Sequence, residues 1–542
     1  MRILLLHPED SPRRGPWSRQ RWDLVVDLGK SSRFSEREWE EQFECPILRA
    51  DVFREGIADV RRVREILAAG QGQLVDEQGI DWWDLNLRFV PEALAVLTLC
   101  RVAGEFSSQA ELWATRAAWQ MGILRSLCKK PIRTFGSGRL ERLATRAGHY
   151  SRIYRRFSSA QIKEIFLDKY DSGYRWRSRL ASKPQPCPQP VVLLPSAYVN
   201  VSRMASAYAD LFPEQLFLLV AARHSARQFE APENVQVRDL ASYATSDFPE
   251  SEAQSLLARW TKLQAELQSS PELHLLAQAG ILQSFSGWLR DGLGSRNAWR
   301  EVLEREPVSV VLCGDDSNMT TRLPVLLAAR REIPTADFHH GAFDGRYLLK
   351  HLASDVYLTK SEMERDYLSR VCGLSQEGLL MAAPKSASAA VPLELRTRAG
   401  ATIIFFSEPY ELADMRAEEV YREVLPTLAR LAQEQGRPLT IKLHPFESRS
   451  LRAGIVRALL NADMARSVTL VDGPLTSELM SKAWFGVTVE SSAALDCLEH
   501  GVTCFLCAWL AYSPYGYLEQ YVRFGAGEVL NDASQIAGIS AR

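Results

Sequence analysis

The chain has 542 residues, which at roughly 100–200 residues per domain implies two to four domains and excludes a single small binding module. Hydrophobic residues make up 46% and charged residues 24%, ordinary globular proportions that exclude wholesale disorder. Lys and Arg number 65 and Asp and Glu 66, a net charge of -1, so no global field draws the protein to nucleic acid or a membrane, and any such preference must be local.

The first apolar run stops at His7-Pro8, too short for the roughly 7–15-residue core of a secretion signal. The longest greasy stretch, Phe89 to Cys100, is broken by Pro91 and Glu92 and falls short of the roughly 18 residues of a membrane span. Nine scattered cysteines, an odd number, suit a reducing compartment, and Cys504 and Cys507 have no second pair or His that would make a metal site. A soluble cytoplasmic protein is expected.

Strands are predicted at Arg2–Leu6 and about Asp23–Leu28, and the sequence from about Val52 to Ala181 reads mainly as helices. Within it, Arg125–Lys183 carries 16 Lys or Arg against 4 Asp or Glu, interleaved with aromatic residues. It is either a solvated helical face or the expected place of peripheral contact with an anionic acceptor or the inner membrane surface. A nucleic-acid partner is not expected. Pro-rich Ser182–Pro190 interrupts the helices. Strands then resume at Val191–Leu194, Leu216–Val220, Val235–Val237, Val308–Leu312, Thr335–Phe338 and Val356–Leu358.

A Pro, Ala and Ser-rich stretch, Ala382–Pro392, reads as a linker. Beyond it ATIIFFSEP, LTIKLHP, VTLVDG, FGVTVESS and VTCFLC alternate with helices at Ala417–Gln433 and Ala493–His500. That alternation predicts parallel sheets. The expected organisation is an acceptor-side α/β domain over 1–392, with a helical region at about 50–182, and a nucleotide-donor domain over 393–542.

Chemistry is expected at carboxyl ends of strands, where open parallel sheets bind ligands. His444-Pro445 follows one strand, and Ser491-Ser492 opens a helix, so imidazole, hydroxyls and free amides could meet one phosphate. Glu408, Lys442 and Glu490 stand at the same ends as expected cleft-lining residues. Upstream, Val308–Cys313 runs into Gly314-Asp315-Asp316-Ser317-Asn318, whose carboxylates either take a proton from a hydroxyl nucleophile or cap the next helix. The following strand ends in His339-His340-Gly341, read as an active-site loop because no third ligand at zinc spacing accompanies the pair. Glu9 and Asp10, Ser196 to Asn200, Arg223-His224 and Ser407-Glu408 stand at further strand ends expected to line the same cleft. Gly29-Lys30-Ser31 lacks the first glycine of a P-loop.

The order of the strand ending in GDD, the FHHG strand end, ASDVYLTKSEMERDYL (Ala353–Leu368), KLHP (Lys442–Pro445) and TVESSAALDCLEHG (Thr488–Gly501) resembles bacterial glycosyltransferases of the GT-B fold. The similarity, over Val308–Leu506, is to CDP-glycerol glycerophosphotransferases, capsule Kdo transferases and bacterial sialyl- and polysialyltransferases. It implies two Rossmann-type domains facing an interdomain cleft. By that resemblance His444, Ser491 and Ser492 hold the donor phosphate, and a catalytic or acceptor-activating role falls on His340. The acidic-acidic-glycine element of sialyltransferases is altered, since Ser317 follows Asp315-Asp316. The first 300 residues match no family.

The expected activity is metal-independent transfer of a sugar from a nucleotide-activated donor, CMP- or CDP-linked, to a saccharide or lipid-linked acceptor in bacterial surface (capsule) polysaccharide synthesis. Asp315, Asp316 or His340 deprotonates the acceptor, and no cofactor is expected. Two alternatives stand beside it: a 2-epimerase acting on a UDP-sugar, and a non-catalytic carbohydrate- or membrane-associated scaffold of the same fold.

Overall fold

The computed structural model describes residues 1–30, 33–135, 183–245, 248–384 and 401–541. The basic segment Arg125–Lys183 lies outside the described residues from 136 to 182, and the expected linker Ala382–Pro392 does so from 385 onward.

The described strands form three sheets, and every strand pair is parallel. In the first, β1 (Arg2–Leu6), β2 (Leu24–Asp27), β3 (Ile47–Arg49), β4 (Glu111–Ala114) and β5 (Ile132–Thr134) take the order β3-β2-β1-β4-β5. The second holds β6 (Val191–Ser196), β7 (Leu216–Ala221), β8 (Val235–Asp239), β9 (Val308–Cys313), β10 (Thr335–Asp337), β11 (Val356–Thr359) and β12 (Leu379–Met381), ordered β12-β11-β10-β9-β6-β7-β8. The third holds β13 (Thr402–Phe406), β14 (Leu439–Lys442), β15 (Val468–Val471), β16 (Ala483–Thr488), β17 (Thr503–Cys507) and β18 (Glu528–Leu530), ordered β15-β14-β13-β16-β17-β18. Each sheet reverses direction beside its first strand, the Rossmann-type pattern that opens a crevice at the carboxyl ends. The expected α/β class with Rossmann-type parallel sheets is what the chain adopts.

The apolar runs explain the central strands. Ile3 to Leu6 and Leu218 to Ala221 are fully buried, as strands covered on both faces require. In the third sheet Ile403, Phe405, Ile441 and Val487 join Val420, Val424 and Leu428 of the helix Ala417–Glu434 in one core. Two glycines answer to close packing. A Cβ on Gly314 would lie 2.7 Å from Phe338 and 2.8 Å from Val201, and one on Gly486 2.7 Å from Phe406 and 2.9 Å from the Cys497 thiol.

The chain divides into two compact units. Met1–Asp59, Ala95–Ser159 and Ser388–Arg542 form one compact unit, and Val60–Leu94 with Ala160–Ala387 form the other. The first sheet therefore groups with the third. Its tie is Arg416, at the start of Ala417–Glu434: the guanidinium meets both carboxylate oxygens of fully buried Asp27 at 2.9 and 3.1 Å and the carbonyls of His7 and Asp10 at 3.0 and 2.9 Å. Two strands, β4 and β5, also fall inside the region read as mainly helical, because ELWA and IRT are too short to show a period of two.

No helix among the described residues is long and apolar enough to cross a membrane. All nine cysteines are free thiols.

Candidate active site

The seven-stranded sheet gathers charge at the exits of β9 and β10. Asp315 accepts from the Ser317 amide at 3.0 Å and from Asn318 Nδ2 at 3.2 Å, and Arg346 Nη2 stands 3.7 Å away. Burial pushes the Asp315 carboxyl up, but Arg346 and the adjacent histidines more than offset this and hold it below the ordinary carboxylate range. Asp316 accepts from Lys350 Nζ, from Arg322 Nη1 at 3.2 Å and from the Tyr347 hydroxyl at 3.2 Å. With 2% of its surface exposed, Asp316 is a buried anchor for three donors.

Asp344 completes this buried network. It accepts from Ser317 Oγ at 2.7 Å, Lys350 Nζ at 3.0 Å and Arg346 Nε at 3.0 Å. Burial raises its carboxyl, and the Lys350 and Arg346 cations overcome that and hold it well below the usual value. Asp344 and Arg346 stand in sequence at the same strand end as the histidines, within FHHGAFDGR, whereas Lys350 carries no sequence signal because a lone Lys in a loop matches no motif.

The two histidines behave differently from the acids. The Gly341 amide donates to His339 Nδ1 at 3.2 Å, so the neutral ring keeps its proton on Nε2, and that buried Nε2 makes no hydrogen bond. His340, half-buried, has a buried Nδ1 that also makes none. The rings lie 4.5 Å apart. Burial pulls His340 below the ordinary histidine range against the opposing pull of Asp315, and pulls His339 well below it. Both rings are neutral at pH 7. The unpartnered Nε2 of His339 already carries its proton, so only His340, in the tautomer protonated on Nε2, can accept a hydroxyl proton at its unpartnered nitrogen.

The third sheet builds the His-Pro turn around Glu447. Its carboxylate accepts from the His444 amide at 2.7 Å, Ser407 Oγ at 2.6 Å and Arg452 Nε at 2.6 Å, and burial raises the acid. The Phe446 amide donates to His444 Nδ1 at 3.2 Å, which places the proton of the neutral ring on Nε2. The Phe446 ring packs 5.1 Å from the imidazole and faces a cavity of about 230 Å³ walled by Pro409, Leu412 and Leu451 over Arg452. Glu447 and the cavity were invisible in sequence because the network joins three separate loops.

Ser491 Oγ accepts from the Ala493 amide at 3.2 Å, and Ser492 is the exposed N-cap of the seven-residue helix Ala493–Glu499, without a side-chain cap bond. His444 and the serines thus stand at one edge of one sheet, with β13 between their strands, roughly 10 Å apart at strand spacing.

The residues expected to line open space are inside. Glu408 is buried between the β13 and β16 exits, accepting from Thr488 Oγ1 at 3.0 Å, the amides of Val489 and Glu490 at 3.2 and 2.9 Å, and the Tyr512 hydroxyl at 2.7 Å. Glu490, also buried, accepts from the amides of Tyr512 and Ser513 at 3.0 and 2.7 Å, and burial pushes its carboxyl up to about 7. Lys442 donates to the carbonyls of Leu443 and Gly473 at 2.8 and 2.7 Å, and burial lowers it. These three brace the loops, since desolvated charges near strand exits need local partners more than open space. Among the described residues no group of three or more His, Cys, Asp or Glu is placed to hold a metal ion.

No family model matches the chain, and no curated protein sequence does. Among solved structures, a UDP-GlcNAc 2-epimerase from Methanocaldococcus jannaschii, in complex with UDP-GlcNAc and UDP, is similar at 10% identity, covering 65% of this chain and 92% of that one with a TM-score of 0.39. MurG of Acinetobacter baumannii is similar at 12% identity over 65% and 90% of the two chains, TM-score 0.38. The wall teichoic acid polymerase TagF is similar at 9% identity over 71% and 89%, TM-score 0.37.

Proposed function

We propose that the protein transfers a glycosyl group from a nucleotide-activated donor to a saccharide or lipid-linked acceptor in surface polysaccharide synthesis. The observation that carries this reading is His340: a neutral imidazole at a carboxyl strand edge, with a buried ring nitrogen that makes no hydrogen bond and a carboxylate, Asp315, beside it.

His340 takes the proton of the acceptor hydroxyl as its oxygen bonds to the anomeric carbon, and Asp315 favours the imidazolium that results. Asp316 stays committed to Lys350, Arg322 and Tyr347 and holds the loop. The bond from the anomeric carbon to the phosphate oxygen breaks, and the leaving phosphate gains charge. His444 Nε2–H and the hydroxyls of Ser491 and Ser492 supply fixed donors for that charge, which stabilise the transition state more than the ground state. A cytidine nucleotide, CMP or CDP, is the proposed carrier, by the resemblance of KLHP and VESS to transferases that use it. None of these steps requires a cofactor.

Calorimetric titration with CMP, CDP, UDP and GDP tests the donor half. A cytidine nucleotide should bind best, and His444→Ala should weaken it by about 1.5–3 kcal/mol, the worth of one charge-assisted hydrogen bond. Unchanged affinity in folded His444→Ala overturns the assignment. Epimer formation from a UDP-sugar with no acceptor present overturns transfer altogether.

A further inference from the structure

The β7 exit holds an arginine that the mechanism above leaves unused. Arg223 Nη1 donates to the Tyr198 hydroxyl at 2.8 Å, and its guanidinium lies 4.8 Å from the centroid of the Tyr198 ring. Tyr198 follows β6, so the pair flanks the crevice at which the seven-stranded sheet reverses direction. Three other arginines at this carboxyl edge meet carboxylates: Arg227 with Asp239 at 3.1 Å, Arg322 with Asp316 at 3.2 Å and Arg346 with Asp344 at 3.0 Å. Arg223, half-buried, has no carboxylate partner among the described residues. A guanidinium stacked on one ring and tied through one nitrogen keeps its remaining N–H groups pre-aligned for a bidentate oxyanion.

We infer that the acceptor carries a phosphate or carboxylate that docks on Arg223, away from the hydroxyl that reacts at His340. The inference rests on the acceptor-side reading of this edge. The strands run β10-β9-β6-β7, so three strand spacings, about 14 Å, separate the exits of His340 and Arg223. That separation exceeds one sugar ring. The anionic group therefore belongs to a neighbouring unit of the acceptor rather than to the sugar being glycosylated, and monosaccharide acceptors lack this contact.

Phenylglyoxal labelling of the folded chain, read at Arg223 by mass spectrometry, tests this with inorganic phosphate, glucuronate and glucose as probes. Phosphate or glucuronate at saturation should slow labelling of Arg223 by about tenfold, as a bidentate ion pair requires, while glucose leaves it unchanged. Protection by phosphate alone selects a phosphorylated acceptor, and protection by glucuronate alone a uronic acid. Tyr198→Phe keeps the ring but removes the hydroxyl tether, and should weaken the protection. Equal labelling of Arg223 with and without either anion overturns the inference. Failure of the donor reading is read elsewhere, in the nucleotide titration of His444→Ala.

Discussion

The carboxyl edges of the first and second sheets share a topology and differ in what their polar groups are left to do. At the first, Asp27 and the carbonyls of His7 and Asp10 are all taken by Arg416, and Asp10 and Glu9 bind Arg116. At the second, Asp315, Asp316 and Asp344 are likewise committed, yet His339 Nε2 and His340 Nδ1 make no hydrogen bond and Arg223 lacks a carboxylate among the described residues. A buried polar group without a partner is costly, so the second edge retains in its two imidazoles a cost that Arg416 and Arg116 remove for the acids and carbonyls of the first. Position at a strand exit is therefore a poor guide to function by itself. What distinguishes the edges is the state of hydrogen-bond satisfaction.

The largest effect at the second edge is expected from His340→Ala. Turnover should fall by roughly 100- to 10,000-fold, the usual worth of a general base, while the melting temperature changes little. A loss of stability with activity retained would make His340 another structural group. The opposite result is expected at the first edge. Arg416→Ala leaves the fully buried Asp27 carboxylate unpaired and should lower unfolding free energy by about 3–5 kcal/mol in denaturant titrations. Smaller effects are expected at the third sheet. Ser491→Ala with Ser492→Ala should raise the donor KM or lower kcat by about 1.5–3 kcal/mol per lost charge-assisted bond, without a change in stability.

Glu490 offers the smallest and most specific test. Its carboxyl is raised from 4.5 to about 7, so between those pH values the folded chain holds a proton that the unfolded chain has released. Stability from this group is present at low pH and declines as pH rises through about 7. Glu490→Gln should flatten that decline in melts between pH 5 and 8.5, about the range in which the acid titrates.

Much of the fold was legible. The strands β1, β6, β7 and β13, buried at all or all but one of their positions, appear in sequence as apolar runs with sharp ends, because a strand covered on both faces must be hydrophobic almost throughout. The strands that escaped sequence reading are β3, β4, β5, β12 and β18, each of three or four residues, and four of them lie at sheet edges. An edge strand is covered less and is held by pairing with its neighbour, so its own composition says little. The site was legible as residue types at strand exits. His340, Asp315, His444 and Ser491 were all identifiable this way, and Arg223 and Tyr198 stood among strand ends expected to line one cleft, but the hydrogen bond that joins them was not.

The α/β class, the central strands, and the imidazoles and hydroxyls at carboxyl edges are all readable along the chain, because period and turn chemistry are local properties. Tertiary structure decided that residues 1–59 group with the C-terminal sheet through Arg416, that Asp316, Glu408 and Glu490 are buried braces, and that His340 and Arg223 are left incompletely partnered. The reason is physical: burial and hydrogen-bond satisfaction depend on groups hundreds of residues apart, and no local pattern encodes which acceptor a donor will meet.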